Sequence, residues 1–502
     1  MNNSELSCNP KIEARLGAFV ALVATLGFAL TFQTTYYGDA ALLLKTYRQG
    51  NSTGHAAHAF VTRLLSGSGF ALEASARIAS LLPAGIGVGL LVMALLRVGV
   101  RTGFAVVVAL LFALTPSVAF FATTIEVHGL QLLGVCAAMY CGIRAFGDCP
   151  ALRIRPQPPL ITLPQSSPRS AFLWFLLAAL CLALTHPLNM PALVGLAGLT
   201  LFGLLRRGMT KKRVAIVTLL LGGLGVLLGL TVASIYKARQ GLDLAGILAT
   251  FAWPLGELAA DGSGAPALFF NFRAALLLPA AGLLGIGGFG LLFLRPRRLA
   301  FALSLWVLFP LLFVLGIDAH EHGAYFLVAL PALSIGVAAI LEQLAVWSTP
   351  TFGKRGPLVT TLLIGYAFAS MHHNNYREEL ALDDFAEREW LDALGAFTNG
   401  RGIFLAQDLE HQTAVTNHLG LQSDNLRYFI LLPEEEQMEL MKVYRAWARL
   451  AADHGEPLYI PEAVFALAPS QPTLQATLDY LSEEFHFEHV ALGGGYGIWQ
   501  GR

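Results

Sequence analysis

The segment Asp318-Ala319-His320-Glu321-His322 packs four ionisable side chains into five residues, with Tyr325 close behind. Two carboxylates and two imidazoles at that density suit a divalent cation such as Mg or Mn, or a pyrophosphate-type headgroup. A solvated loop is the plainer reading. The turn Thr123-Thr124-Ile125-Glu126-Val127-His128 offers a second carboxylate beside an imidazole. Glu126 reads as a partner for a cation, a substrate hydroxyl or a metal, or as an acid favoured at a helix start by the macrodipole. Asp39 follows Gly38, which permits a tight turn. A partly desolvated carboxylate there can act as general base toward an acceptor hydroxyl; the alternative is an ordinary solvated acid. His55 and His58, three apart, would share a helix face and suit phosphate or metal, or belong to a bland polar loop. In His186-Pro187 the proline accounts for a turn but not for the imidazole.

The elements that must position these groups are set by composition. Hydrophobic residues make up 55% of the 502-residue chain and charged residues 13%, about half the charged share of a soluble domain. Lipid must therefore be the solvent for much of the chain. Apolar runs long enough to cross roughly 30 Å of hydrocarbon fall near 14–32, 77–96, 102–121, 127–146, 171–186, 189–205, 214–236, 268–294, 299–316, 324–346 and 357–371. This predicts a polytopic α-helical membrane protein of about 11 transmembrane helices. The first run lacks a cleavage site and reads as a retained signal anchor.

Short cytoplasmic loops should be rich in Lys and Arg. With the N-terminus inside, the inside set holds 18 basic residues against the four acids Glu5, Glu13, Asp148 and Glu342, and the outside set holds seven basic residues. Eleven spans then leave the C-terminal region outside. All six histidines of residues 1–371 fall in or beside outside loops: His55, His58, His128, His186, His320 and His322. Asp39, Glu126, Asp318 and Glu321 fall there too. Chance would place six histidines on one side about one time in thirty. Ionisable groups at a membrane are costly enough to be functional candidates by default.

The two ends of the chain differ in solvent. Residues 372–502 hold 21 of the 33 acidic residues and 8 of the 33 basic ones, a net −13. That predicts a membrane domain over 1–371, with outer loops at about 33–76 and 237–267, and a small α/β extracytoplasmic domain over 372–502. Within the latter, Gly402–Ala406, Tyr428–Leu432 and, more weakly, Leu458–Ile460 read as strands. Glu434–Ala452 and Thr473–Phe485 read as helices, and His489–Trp499 as a closing hairpin. Its Gly493-Gly494-Gly495 does not fit a phosphate loop. The five cysteines show no metal or disulfide pattern, and no internal repeat is visible.

Three stretches resemble the GT-C superfamily, multi-span glycosyltransferases that use lipid-phosphate sugars, and most resemble the bacterial protein-O-mannosyltransferase-like membrane proteins. They are Gly38-Asp39 with His55 downstream, Glu126-Val127-His128-Gly129-Leu130, and Leu184-Thr185-His186-Pro187. The segment from Asp318 to Pro331 fits a late outer loop of this kind. Ala40, Ala41 and Leu42 follow Asp39 where such proteins often carry a second acid. The likeness implies a polyprenyl-phosphate sugar donor, membrane lipids and an unidentified acceptor as partners, and no nucleic acid. It implies a bacterial inner-membrane location. Asp39 is then the base that activates an acceptor hydroxyl to displace polyprenyl phosphate, with Glu126 grouped beside it as catalytic. His55, His58, His128, His186, Asp318, His320, Glu321, His322 and Tyr325 are the substrate-binding candidates. Asp318, His320, Glu321 and His322 are the set for a divalent cation. A transporter or flippase of a lipid-linked or anionic substrate is the alternative. Transporters place charges near the bilayer midplane on broken helices, whereas these lie at one edge.

Overall fold

The computed structural model describes residues 10–32, 40–48, 56–146, 168–186, 189, 191–206, 209–220, 223–224, 227, 279–294, 297–314, 326–352, 359, 382–406, 409–425, 434–470, 472–492 and 496–502. It divides into two compact units, residues 1–32 with 50–377, and residues 33–49 with 378–502.

The first unit is helical. Leu72–Arg97, 26 residues with apolar side chains on every face, is about 39 Å long by the rise of an α-helix and spans the hydrocarbon with turns to spare. It packs against Pro10–Leu30, Ala56–Gly67, Thr102–Ala113 and His128–Phe146. His128–Phe146 in turn packs on Pro168–Thr185. Ala192–Arg206 pairs with Arg297–Val314, and Pro279–Leu294 with Leu330–Phe352. Among the described residues, Pro10–Leu30, Leu72–Arg97 and Leu330–Ser348 are each long and apolar enough to cross a membrane. Ser170–Thr185, Ala192–Phe202 and Arg298–Leu311 are shorter apolar helices. Phe19, Leu22, Leu26 and Leu30 stand exposed along Pro10–Leu30, as a lipid-facing surface requires.

One expected span is broken. The sequence predicts a single helix over 102–121. The structure instead has Thr102–Ala113 and Pro116–Thr123, bent by 67°. Pro116 stands at the start of the second helix, where its missing N–H costs nothing. It holds Thr115 extended, at φ −63° and ψ 139°, as the residue before a proline prefers. Apart from residue 359, the span expected at 357–371 lies outside the described residues, as does most of that at 214–236.

Close packing and end pairing hold these helices in register. A Cβ on Gly89 would collide with the Gly17 backbone carbonyl of the neighbouring helix. Glycine there lets the two backbones touch, which matters where association in lipid rests on van der Waals contact. Just beyond this contact, at the end of the same pair, Arg97 meets Glu13 in an ion pair of 2.7 Å. Nearby, the Arg101 backbone N–H donates to Glu342 Oε1 at 2.7 Å, and its guanidinium lies 3.2 Å from Glu342 Oε2. Both carboxylates are buried. Removing one partner of a buried pair leaves an uncompensated charge. Arg97→Met is therefore expected to cost about 3 kcal/mol. Adding Glu13→Leu should return most of it, as read by thermal unfolding in detergent. Equal stability of single and double variants would contradict this.

Among its described residues the second unit carries a sheet of five strands, β1 (Ile403–Ala406), β2 (Gln422–Asn425), β3 (Leu458–Pro461), β4 (Phe487–Ala491) and β5 (Gly497–Gly501), in the order β2-β1-β3-β5-β4. β1, β2 and β3 are parallel, with Ile403 opposite Gln422 and Leu458. β4 and β5 form an antiparallel hairpin, with Val490 opposite Ile498, and β5 runs antiparallel to β3. β1 and β3 are buried along their length, as an unbroken apolar run in a covered parallel pair should be. Glu434–Asp453 lays Met441, Tyr444, Ala448 and Ala451 on the core, and Pro472–Glu484 adds Leu474, Leu478 and Leu481. The strand expected at Tyr428–Leu432 lies outside the described residues. Ala40–Arg48 belongs to this unit rather than to the bundle that flanks it in sequence. It packs on Leu409–Ala414, with Leu43, Leu44 and Tyr47 buried.

A buried polar corner as candidate functional site

Four of the residues singled out in the sequence, His58, Glu126, His128 and His186, are 1–6% exposed and gather at one end of the first unit. Ser80 is the node that joins two of them. It sits on Leu72–Arg97, and its hydroxyl oxygen accepts the Glu126 backbone N–H at 3.0 Å. The hydroxyl in turn lies 2.9 Å from the Glu126 carbonyl and 3.1 Å from the Ala76 carbonyl. His58 Nε2, on Ala56–Gly67, lies 3.3 Å from the same oxygen. One serine thus pins the turn 124–127 to a neighbouring helix and holds an imidazole beside it.

That turn aims the rest. Thr124 is extended after the Pro116–Thr123 helix, at φ −111° and ψ 164°. The next helix begins at His128. Glu126 Oε2 accepts the Val127 N–H at 3.3 Å. His128 Nδ1 bonds to Gln131 Oε1 one turn on, and its ring lies 5.1 Å from that of His186 and 4.3 Å from that of Phe121. Gly129 makes the approach possible, because a Cβ there would strike the Ser80 carbonyl. His186 ends the Pro168–Thr185 helix, and the turn behind it is closed by the Asn189 N–H donating to the His186 carbonyl at 3.1 Å.

Burial pushes the His58 imidazole down to about 4; the Ala76 carbonyl opposes the fall and nearby His128 adds to it. His58 is therefore neutral at pH 7 and works as a hydrogen-bonding group, not as a cation. An anion bound beside it therefore takes its countercharge from another group.

The opposite ends of the same helices carry the basic residues. From Ser80 to Arg97 is a rise of about 25 Å, and from His128 to Arg144 about 24 Å. Arg144 donates to the Tyr140 hydroxyl at 2.8 Å and stacks over Trp174 at 4.2 Å. The polar corner and the Arg-rich end are separated by nearly the thickness of a bilayer core.

The other candidates, Asp39, His55, Asp318, His320, Glu321, His322 and Tyr325, lie outside the described residues, as does the loop at 237–267. Among the described residues no group of three or more His, Cys, Asp or Glu is placed to hold a metal ion. The structure adds Ser80, Gln131 and Asn189, all fully buried, which the sequence reading missed. Gln131 and Asn189 each follow a candidate histidine by three residues, a spacing that places side chains on one helix face and would have flagged them.

No protein-family model matches the chain, and no curated protein does. Solved structures do resemble it. The crystal structure of ArnT from Cupriavidus metallidurans bound to undecaprenyl phosphate matches at 16% identity and a TM-score of 0.57, over 97% of each chain. The apo ArnT structure from the same organism matches at 15% identity and a TM-score of 0.46, again over 97% of each chain. The oligosaccharyltransferase AglB from Archaeoglobus fulgidus, in complex with an inhibitory peptide and a dolichol-phosphate, matches at 11% identity and a TM-score of 0.44. That match covers 96% of this chain and 74% of AglB.

Proposed function

We propose that this chain, a membrane protein with the GT-C glycosyltransferase fold of ArnT, transfers a sugar from a polyprenyl-phosphate donor to an acceptor hydroxyl. The acceptor is a protein, lipid or glycan at the outer membrane face. One observation carries the reading: His58, Glu126, His128 and His186 converge at the helix ends opposite the basic ones, on a fold whose relative was solved with undecaprenyl phosphate bound. A lipid-linked sugar keeps its tail in the bilayer and presents its phosphate at this level. We place the polar corner outside and the Arg97 and Arg144 ends in the cytoplasm, as the distribution of Lys and Arg directs.

In this scheme Asp39 takes the proton of the acceptor hydroxyl. The freed oxygen attacks the anomeric carbon, and the bond from that carbon to the phosphate oxygen breaks, its electron pair leaving with polyprenyl phosphate. Glu126 holds a substrate hydroxyl. The departing phosphate needs positive charge. Arg63, on the same short helix as His58, Arg48, Lys237, Arg239 and Arg273 are the candidate sources. Asp318, His320, Glu321 and His322 are the set for a divalent cation.

Mass spectrometry of envelope glycans and glycoproteins from cells with and without the gene tests this. Loss of one sugar substituent on deletion is expected. Unchanged glycans, with lipid-linked sugar crossing proteoliposomes that hold the protein, would replace the reading with transport.

A further inference from the structure

We infer that Gln131 and Asn189 form a subsite that recognises one hydroxyl of the donor sugar. The inference rests on the glycosyl-transfer reading and narrows it. Gln131 spends its side-chain oxygen on His128 Nδ1, and its Nε2 is buried with no hydrogen-bond partner. Asn189 spends its Nδ2 on Thr185 Oγ1 at 2.9 Å and on the Gln131 carbonyl at 3.4 Å, and its Oδ1 is likewise buried without a partner. Both side chains are fully buried. Buried polar groups are almost always hydrogen-bonded, so a donor and an acceptor left open on two residues in contact call for an occupant.

The two open atoms, an amide NH2 and an amide oxygen, define its chemistry. The occupant accepts at least one hydrogen bond from the Gln131 Nε2–H groups and donates one to Asn189 Oδ1. An ionised phosphate or carboxylate has no proton to give, and a metal cation cannot accept from an amide. A hydroxyl does both. His128 and His186, their rings 5.1 Å apart, stand beside this pair at the end of the bundle where a lipid-linked donor presents its sugar. A water molecule has the same valences, and the experiment separates the two.

The probe is an undecaprenyl-phosphate-linked hexose, the one of mannose, glucose and galactose that the detergent-purified protein turns over fastest, together with its monodeoxy analogues. Single-turnover release of sugar from the lipid is measured for each. One deoxy donor is expected to react about ten- to a hundredfold more slowly than its parent with the wild type, because a site built to bond a hydroxyl penalises its loss. In Gln131→Met and Asn189→Leu the parent donor slows by a similar factor, and deleting that same hydroxyl costs nothing further. Asn189→Asp, which keeps the acceptor, retains the discrimination. If Gln131→Met does not fold, Asn189→Leu carries the same comparison. Equal deoxy penalties in wild type and variants would overturn the subsite, assign the corner to a water, and leave glycosyl transfer standing. No turnover of any parent donor by the wild type overturns both readings together.

Discussion

An Asp39→Asn protein is expected to insert and fold as the wild type does, yet to transfer sugar about 10²–10⁴-fold more slowly, the span that a positioned general base contributes. The amide keeps the size and most of the hydrogen bonding of the carboxylate but cannot take the acceptor proton. Epitope accessibility on both membrane faces would establish insertion, and single-turnover transfer would give the rate. Transfer at the wild-type rate would remove Asp39 from the mechanism and shift attention to Glu126. Placement of Ala40–Arg48 in the second unit bears on this test. Asp39 immediately precedes that helix in the chain, so substitutions that loosen the packing of Leu43 or Leu44 should also disturb it. The base variant must therefore be compared at matched stability.

The second large effect is expected from a single added carbon. In Gly129→Ala the new Cβ meets the Ser80 carbonyl, carbonyl carbon and Cα. These are backbone atoms of a packed helix, which cannot step aside as a flexible side chain can. Overpacking of this kind costs about 1–3 kcal/mol. Here it also prises apart the bonds by which Ser80 holds the Glu126 backbone and His58. Gly103→Ala, with nothing within 4 Å of its added Cβ, is the like-for-like control. The Gly129 variant should unfold at a clearly lower temperature than wild type and lose transfer more steeply than its stability falls, while the Gly103 variant matches wild type in both. Similar behaviour of the two glycine variants would mean that the corner is not a rigid support for the site.

Much of the secondary structure was legible because the solvents write it. A helix in lipid must be apolar all round for about 20 residues, so Leu72–Arg97, His128–Phe146 and Leu330–Phe352 announce themselves. The period of Met441, Tyr444, Ala448 and Ala451 marks a helix lying on a core in water. The break at Thr115-Pro116 was harder to see, because a proline inside an apolar run kinks some membrane helices and starts others. β2 was not visible at all. Gln422-Ser423-Asp424-Asn425 has none of the β-branched or aromatic residues that mark strands, and only its pairing with β1 makes it one.

The candidate site divides along the same line. Residue type and the expected one-sided placement of histidines follow from the chain and the bilayer, and they were enough to nominate His58, Glu126, His128 and His186. What tertiary structure alone decided is which nominees meet. His58 and Glu126 are 68 positions apart, and Ser80, an unremarked serine in an apolar helix, joins them through hydrogen bonds of 3.3 and 3.0 Å. Gln131 and Asn189 acquire their open valences only because neighbouring groups, folded against them, consume the others. A sequence fixes what each side chain can bond. The packing of distant helices fixes which of those bonds are already used, and therefore what is left for a substrate.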